Sequence, residues 1–196
     1  MKTIGYYTDP RLAESKVQTL RTAFDDDLSW LDNSYPLVMI GVVDDVTIPL
    51  VYQSGADSYD LRPNDDVGSY CFFESYGYRP GDDQDMGVYS LAVVFWLDLT
   101  KVDTSRTQDY TWNLISDVLR VMDDNGCYNI SVDTDDIFGR YTFDLDKQQL
   151  MRRFSGFKIV FDMYGLNTYC TLADGYRADT TYITTDSAVY TADYAL

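Results

Sequence analysis

The longest apolar run of the chain, residues 88–99, constrains the fold more than any other segment. It is rich in β-branched and aromatic residues, and its centre reads Val93-Val94-Phe95-Trp96. Such runs are typical of strands buried on both faces, because a half-exposed strand alternates apolar with polar residues. We therefore predict a central strand here, with other elements covering the sheet on both sides.

Two segments have the apolar spacing that is typical of amphipathic helices. The first is predicted over residues 10–31, because Asp9 offers an N-cap acceptor and Pro10 suits the first helical position. The second is predicted over residues 109–124, ends at Asn125-Gly126 and is expected to pack on the sheet. Apolar residues at intervals of three and four predict one buried stripe on the first helix: Val17, Leu20, Phe24, Leu28 and Leu31.

Several shorter segments are predicted as strands. Residues 37–43 and 46–53 form a predicted hairpin that turns at Asp44-Asp45. Because Pro49 has no backbone N–H, the second of these strands is expected at a sheet edge or in a projecting loop. The other predicted strands are residues 69–75, 128–132 and 157–164. Residues 55–68 and 76–87 are predicted to be loops, and residues 135–140 a short turn or helix.

The order helix, strands, helix, strands predicts an α+β fold. We expect one domain over residues 1–166, in which a mainly antiparallel sheet packs against a long N-terminal helix and a second helix. After Leu166 the composition shifts to Thr, Ala, Asp and Tyr, so residues 167–196 are predicted to be a C-terminal extension or arm. Two interpretations of this segment remain open, strand addition to a neighbouring subunit and a frayed terminus.

The composition excludes most enzyme chemistry. The chain has no histidine, so it cannot contain a Ser-His-Asp triad, a Cys-His pair or a histidine-based zinc site. Its three cysteines are far apart and form no CxxC pair, which indicates buried, reduced thiols: Cys71, Cys127 and Cys170. We predict no catalytic residue, no metal site and no cofactor.

Aspartate clusters are the main alternative to this prediction, because carboxylates bind divalent cations. The chain has 32 acidic residues, and only Glu14 and Glu74 are glutamates. The segment 133–136 resembles the start of a calcium loop, but Ile137 and Phe138 stand where an EF-hand needs an oxygen ligand and a glycine. A metal-binding module would use one of two sets of ligands, Asp82, Asp83 and Asp85 or Asp133, Asp135 and Asp136.

The formal net charge of -17 argues against a nucleic-acid-binding surface, because phosphate contacts need clustered Lys and Arg. No apolar run approaches the roughly 18–20 residues of a membrane span, and no signal peptide is evident, so we expect a protein made in a cytoplasm. The cations Arg152, Arg153 and Lys158 stand close together. We predict that they form part of a subunit interface with an aspartate-rich face of a neighbouring copy, for which Asp82, Asp83 and Asp85 are the candidates. The alternative is that these cations simply balance local charge.

Three segments resemble structural proteins of tailed phages that infect Bacteroidetes, including crAss-like phages. They are Pro63-Asn64-Asp65-Asp66-Val67-Gly68-Ser69-Tyr70-Cys71-Phe72-Phe73, the strand ending Phe95-Trp96-Leu97-Asp98-Leu99, and Leu150-Met151-Arg152-Arg153-Phe154-Ser155-Gly156-Phe157-Lys158. The last segment departs from the family's Y-x-G-F pattern, and the tail rich in Thr and Tyr is unusual. The resemblance covers roughly residues 19–164 and carries over no catalytic residue.

The resemblance implies a tail-terminator-like fold and a ring in the head–tail connector, or neck, or in the tail-completion region of a virion. Such a subunit associates with itself and with portal, neck or tail proteins, while DNA passes through the ring without specific binding. It would be assembled in the cytoplasm of the bacterial host. A host-surface adhesin is a further alternative, in which some of the 18 tyrosines would stack on carbohydrate.

Overall fold

The structure, a computed structural model, describes residues 2–3, 12–52, 58–61, 67–80, 86–105, 109–142 and 154–166. Within these residues the helices are α1 (Ala13–Asp27), α2 (Leu99–Val102) and α3 (Thr111–Asp124). The strands are β1 (Lys2–Thr3), β2 (Asn33–Leu37), β3 (Met39–Val43), β4 (Val46–Tyr52), β5 (Ser58–Asp60), β6 (Ser69–Pro80), β7 (Met86–Asp98), β8 (Tyr128–Asp133) and β9 (Phe154–Leu166).

The described strands form two sheets. The larger has the order β1-β2-β6-β7-β9-β8 and the smaller has the order β3-β4-β5. Pairing is antiparallel except for β1 with β2 and β2 with β6. The mixed fold with a mainly antiparallel sheet is therefore confirmed.

The predicted central strand is confirmed as β7. It pairs with β6 on one side and with β9 on the other, from Met86 opposite Leu166 to Asp98 opposite Phe154. Residues 91–98 of β7 are buried without interruption, since both faces of the sheet are covered. This double cover explains why the sequence of β7 lacks the usual alternation.

Helices α1 and α3 cover one face of the larger sheet. Phe24 of α1 lies against Phe73 of β6 and Phe95 of β7, with ring centroids 6.0 and 5.8 Å apart. Full burial of such a side chain stabilises the fold by roughly 1.5–3 kcal/mol. The predicted second helix is confirmed as α3. At its start, Asp109 Oδ1 accepts a hydrogen bond from the Thr111 backbone N–H at 2.9 Å.

The prediction of a long N-terminal helix is wrong, because α1 has only 15 residues and ends at Asp27. Leu28 leaves the helical conformation, and a turn follows in which the Leu31 N–H bonds to the Leu28 carbonyl. Leu28 and Leu31 are nevertheless buried with the rest of the predicted stripe. A turn thus places the last two apolar residues in the core as well as a helix would. The predicted start at Asp9 and Pro10 lies outside the described residues.

The smaller sheet and the 137–141 turn cover the other face of the larger sheet. Val51 and Leu61 belong to a buried cluster with Tyr70, Phe72, Val94, Trp96, Tyr141 and Phe154. The predicted hairpin at Asp44-Asp45 is confirmed, and it forms the β3–β4 part of this sheet.

The predicted edge or loop position of residues 46–53 is wrong, because β4 is the middle strand of the smaller sheet. Pro49 is tolerated because it lies just beyond the β4–β5 ladder, which begins at Leu50 opposite Asp60. The Pro49 carbonyl still accepts a hydrogen bond from the Leu61 N–H at 3.0 Å.

The predicted loop over residues 76–87 is wrong for most of its length. Strands β6 and β7 continue as a β6–β7 ribbon in which Gly77 pairs with Ser90 and Pro80 pairs with Gly87, and β9 pairs with the other edge of the same part of β7. Residues 76–80 are all exposed, so no pattern of buried apolar residues indicates a strand in this segment. Strand β9 likewise begins three residues before its predicted start at Phe157.

Candidate assembly surfaces

The charged segments that the sequence predicts as an interface adjoin opposite ends of one strand pair. Asp98 pairs with Phe154 at one end of the β7–β9 ladder, and Met86 pairs with Leu166 at the other. Arg152 and Arg153 come just before Phe154 in the sequence, whereas Asp82, Asp83 and Asp85 come just before Met86. All five charged residues lie outside the described residues.

The length of β9 sets the distance between these two ends. At about 3.3 Å per residue, its 13 residues span roughly 40 Å. The described residues that follow the two segments in the sequence, Phe154 and Met86, therefore lie roughly 40 Å apart.

Lys158, the third predicted interface cation, is engaged inside the chain. Lys158 is only 7% exposed, and its Nζ donates a hydrogen bond to the Asp136 carbonyl at 2.7 Å. The same Nζ lies 3.6 Å from Asp133 Oδ2. Lys158 therefore joins the turn after β8 to strand β9, and its part in a subunit interface remains a prediction.

The second predicted metal-ligand set does not converge on a common point. Asp133 Oδ1 accepts hydrogen bonds from the backbone N–H groups of Asp135 and Asp136, at 2.9 and 3.0 Å. The backbone hydrogen bonds from Asp136 and Asp135, assisted by Lys158, lower the pKa of Asp133. Among the described residues, no three Cys, Asp or Glu side chains are placed to hold one metal ion.

Asp162 of β9 is the centre of a polar cluster on the sheet face opposite the helices. Its Oδ1 accepts from Ser90 Oγ at 2.6 Å, and its Oδ2 accepts from Arg79 at 2.8 Å and Asn129 at 2.9 Å. Burial alone would raise the pKa of Asp162, but these hydrogen bonds and the Arg79 charge lower it below the ordinary value. The three donors therefore hold Asp162 as an ionised carboxylate.

A second polar cluster, missed by sequence reasoning, surrounds Glu74 of β6. Glu74 is 2% exposed, its Oε1 accepts a hydrogen bond from the Tyr141 hydroxyl at 2.5 Å, and its Oε2 lies 3.6 Å from Arg140. Arg140 also stacks over the ring of Tyr76, 4.9 Å from its centroid. The rarity of glutamate in an aspartate-rich chain was the available signal.

Exposed aromatic side chains line the β6–β7 ribbon and the neighbouring end of β9. Tyr76 and Tyr78 are exposed on the ribbon, and Tyr164 is exposed on β9, where it stacks on Tyr128 at 4.6 Å. A cleft of about 410 Å³ lies between Tyr78, Tyr89 and the start of α1. These side chains offer apolar contact area beside the end of the sheet that leads into the acidic segment.

The β3–β4 hairpin presents a second exposed apolar surface. Four of the five residues of β3 are large, apolar and exposed: Met39, Ile40, Val42 and Val43. The fifth is Gly41, over which Leu50 packs. Strand β3 therefore carries no charge in a chain of net charge -17.

Two of the three thiols are described, and both are buried and free, as predicted. Burial raises the pKa of Cys71, and burial with the nearby Asp123 charge raises the pKa of Cys127 to about 12. Neither thiol is therefore suited to act as a nucleophile at neutral pH. Cys170 lies outside the described residues.

The chain matches no protein-family model and no curated protein. Within the described residues, no helix combines the length and the apolar character that crossing a membrane requires.

Proposed function

We propose that this chain is a structural subunit of a phage virion that forms a ring in the head–tail connector or tail-completion region and carries out no catalysis. One observation carries the proposal: the cationic and acidic segments adjoin opposite ends of the β7–β9 ladder. Opposite charges at opposite ends of a subunit favour head-to-tail contacts, which are heterologous and close into rings when the rotation permits. The likeness to tail terminators belongs to this proposal.

The positions of the three phage-like segments support the same function. Residues 69–73 of β6 pair with residues 93–97 of β7, and residues 154–158 of β9 pair with residues 94–98 of β7. The described parts of the segments that carry the resemblance thus form adjacent strands at the centre of the larger sheet. Motifs of this kind specify a scaffold rather than a site of chemistry, which fits a virion building part.

The net charge gives the ring a physical role as well. A channel lined by aspartate repels the DNA backbone, so DNA passes during packaging and ejection without adhering. Patches of opposite charge meanwhile steer subunits and neighbouring portal, neck or tail proteins into register. The expected location is the virion, with assembly in the host cytoplasm.

Charge reversal tests the head-to-tail contact. We expect the triple variant D82K/D83K/D85K and the double variant R152E/R153E each to lose self-association in light scattering at low salt. Mixing the two variants should restore mixed oligomers, because each then presents the complement of the other. Arg120→Glu, an exposed charge change on α3, is the control and should assemble normally. If the mixture stays monomeric while wild type assembles, the proposed contact is wrong.

Glycan binding by an adhesin is the second candidate function. The observation in its favour is the half-exposed ring of Tyr164, stacked on Tyr128 beside the polar cluster of Asp162. Sugars pack on such rings and hydrogen-bond to neighbouring polar groups. A glycan array with the full chain would support this function if Tyr164→Ala abolished a signal, whereas a blank array would reject it.

A further inference from the structure

Among the residues that the structure describes, no strand pairs with one edge of β3, and the hydrogen bonds of β4 show which backbone groups lie on that edge. Thr47 exchanges hydrogen bonds with Thr142, and the Pro49 carbonyl accepts a hydrogen bond from the Leu61 N–H. The backbone hydrogen-bonding groups of Thr47 and Pro49 therefore point away from β3. Their partners across the ladder are Val42 and Ile40. In such non-hydrogen-bonded pairs the backbone groups of both residues point outward. The N–H and C=O groups of Ile40 and Val42 therefore face the free edge.

The edge at β8 is protected, whereas β3 is not. Strand β8 has an irregularity between Tyr128 and Ser131 that includes Asn129 with φ of 52°, and it ends in Asp133. Bulges and charges are the usual means of preventing strand addition. Strand β3 has an unbroken register with β4 and no charged residue, and Ile40 and Val42 are 46% and 69% exposed.

We propose that β3 pairs antiparallel with β3 of a second copy, about a two-fold axis at Gly41. In this register Ile40 of each copy faces Val42 of the other, so the outward backbone groups of both strands exchange four hydrogen bonds. Gly41 meets Gly41 on the axis, where the two backbones approach to about 4.5 Å between Cα atoms. The edge of β3, a strand without charged residues, is thereby covered by the identical strand of the second copy.

Charge favours a second copy in this antiparallel register. The turn residues Asp44 and Asp45 of one copy lie beside residues 37–38 of the other, so the two acidic turns sit at opposite ends of the contact. A parallel arrangement would place the four aspartates together. The contact is smaller than the roughly 1,000 Å² of a stable interface, so the dimer should dissociate on dilution.

This contact is separate from the head-to-tail contact, because a two-fold contact joins two copies and then stops. Cysteine cross-linking tests its register. With Cys170 changed to Ser, the pair M39C/V43C should form an intermolecular disulfide, because residue 39 of one copy faces residue 43 of the other. Within one chain these positions are about 13 Å apart, too far for a disulfide. The pair M39C/V42C is the matched control and should stay reduced.

Sedimentation of the full chain at increasing concentration gives the independent test. We expect Val42→Lys to weaken dimerisation at least tenfold, while Ser131→Lys on the protected β8 edge leaves it unchanged. The charge reversals that test the ring should not alter the M39C/V43C cross-link. Absence of the cross-link, or a monomer whose Ile40 and Val42 amides resist hydrogen exchange because another segment covers them, would overturn the proposal.

Discussion

At the residue scale, Glu74 is a buried acidic side chain whose partners stabilise the fold. Its carboxylate is almost fully removed from water, and the Tyr141 hydroxyl and Arg140 are the groups that compensate it. Loss of one partner leaves a buried charge that is poorly solvated, and that loss costs more than the hydrogen bond contributes. Arg140 and Tyr141 thereby connect the 137–141 turn, which covers one face of the larger sheet, to strand β6.

We expect Tyr141→Phe to reduce the free energy of unfolding by about 1–3 kcal/mol, since it removes the donor to Glu74 and keeps the ring. Tyr78→Phe, at an exposed position, should change it by less than about 0.5 kcal/mol. Urea denaturation of both variants measures the difference. Equal effects would mean that the Tyr141 hydroxyl does not stabilise Glu74.

The lowered pKa of Asp162 predicts a pH dependence of stability. Because the folded pKa lies below the unfolded value of about 3.9, the contribution is complete above that value and is lost as the pH falls through the folded pKa. Asp162→Asn should lower the free energy of unfolding near pH 7. On acidification, the free energy of unfolding should fall less for this variant than for the wild type. Parallel stability curves for the two proteins between pH 7 and pH 3 would contradict this assignment.

At the scale of elements, the β3–β4 turn carries backbone strain. Asp44 and Asp45 have φ of 52° and 63°, the left-handed conformation that a two-residue hairpin turn requires and that glycine adopts most readily. Asp45→Gly should therefore raise the unfolding free energy by roughly 0.5–1 kcal/mol. Asp26→Gly, in helix α1, should lower it by a similar amount, because helical φ offers glycine no advantage. Thermal melting distinguishes the two signs, and a shared sign would refute the explanation.

Elements with a strong local pattern were predictable from the sequence. Strand β7, helix α3 and the hairpin at Asp44-Asp45 each follow from apolar spacing or turn residues alone. Two of the wrong predictions depended on long-range pairing: the central position of β4 and the ribbon over residues 76–80. The end of α1 was missed because the turn at Leu28 buries Leu28 and Leu31 as a longer helix would. A strand such as Tyr76–Pro80 looks like a loop because its side chains are exposed, and only its pairing with β7 reveals it.

At the scale of the whole molecule, the sequence could not show how the candidate surfaces lie relative to one another. Arg152, Arg153 and the 82–85 aspartates were predicted to be partners, but only strand register shows that they precede residues at opposite ends of the β7–β9 ladder, Phe154 and Met86. The register of β6 with β7 likewise places the exposed Tyr78 near the Met86 end of that ladder. In the proposed function, this arrangement gives the subunit a direction from its cationic segment to its acidic segment.

The most direct test of self-assembly is the mass of the full chain in solution, measured by light scattering from about 0.05 to about 1 M salt, with negative-stain images of the same samples. Surface charge pairs are strongly screened over this range. The proposed function predicts closed rings at low salt that dissociate as the salt concentration rises. A single monomeric species at every salt and protein concentration would contradict it.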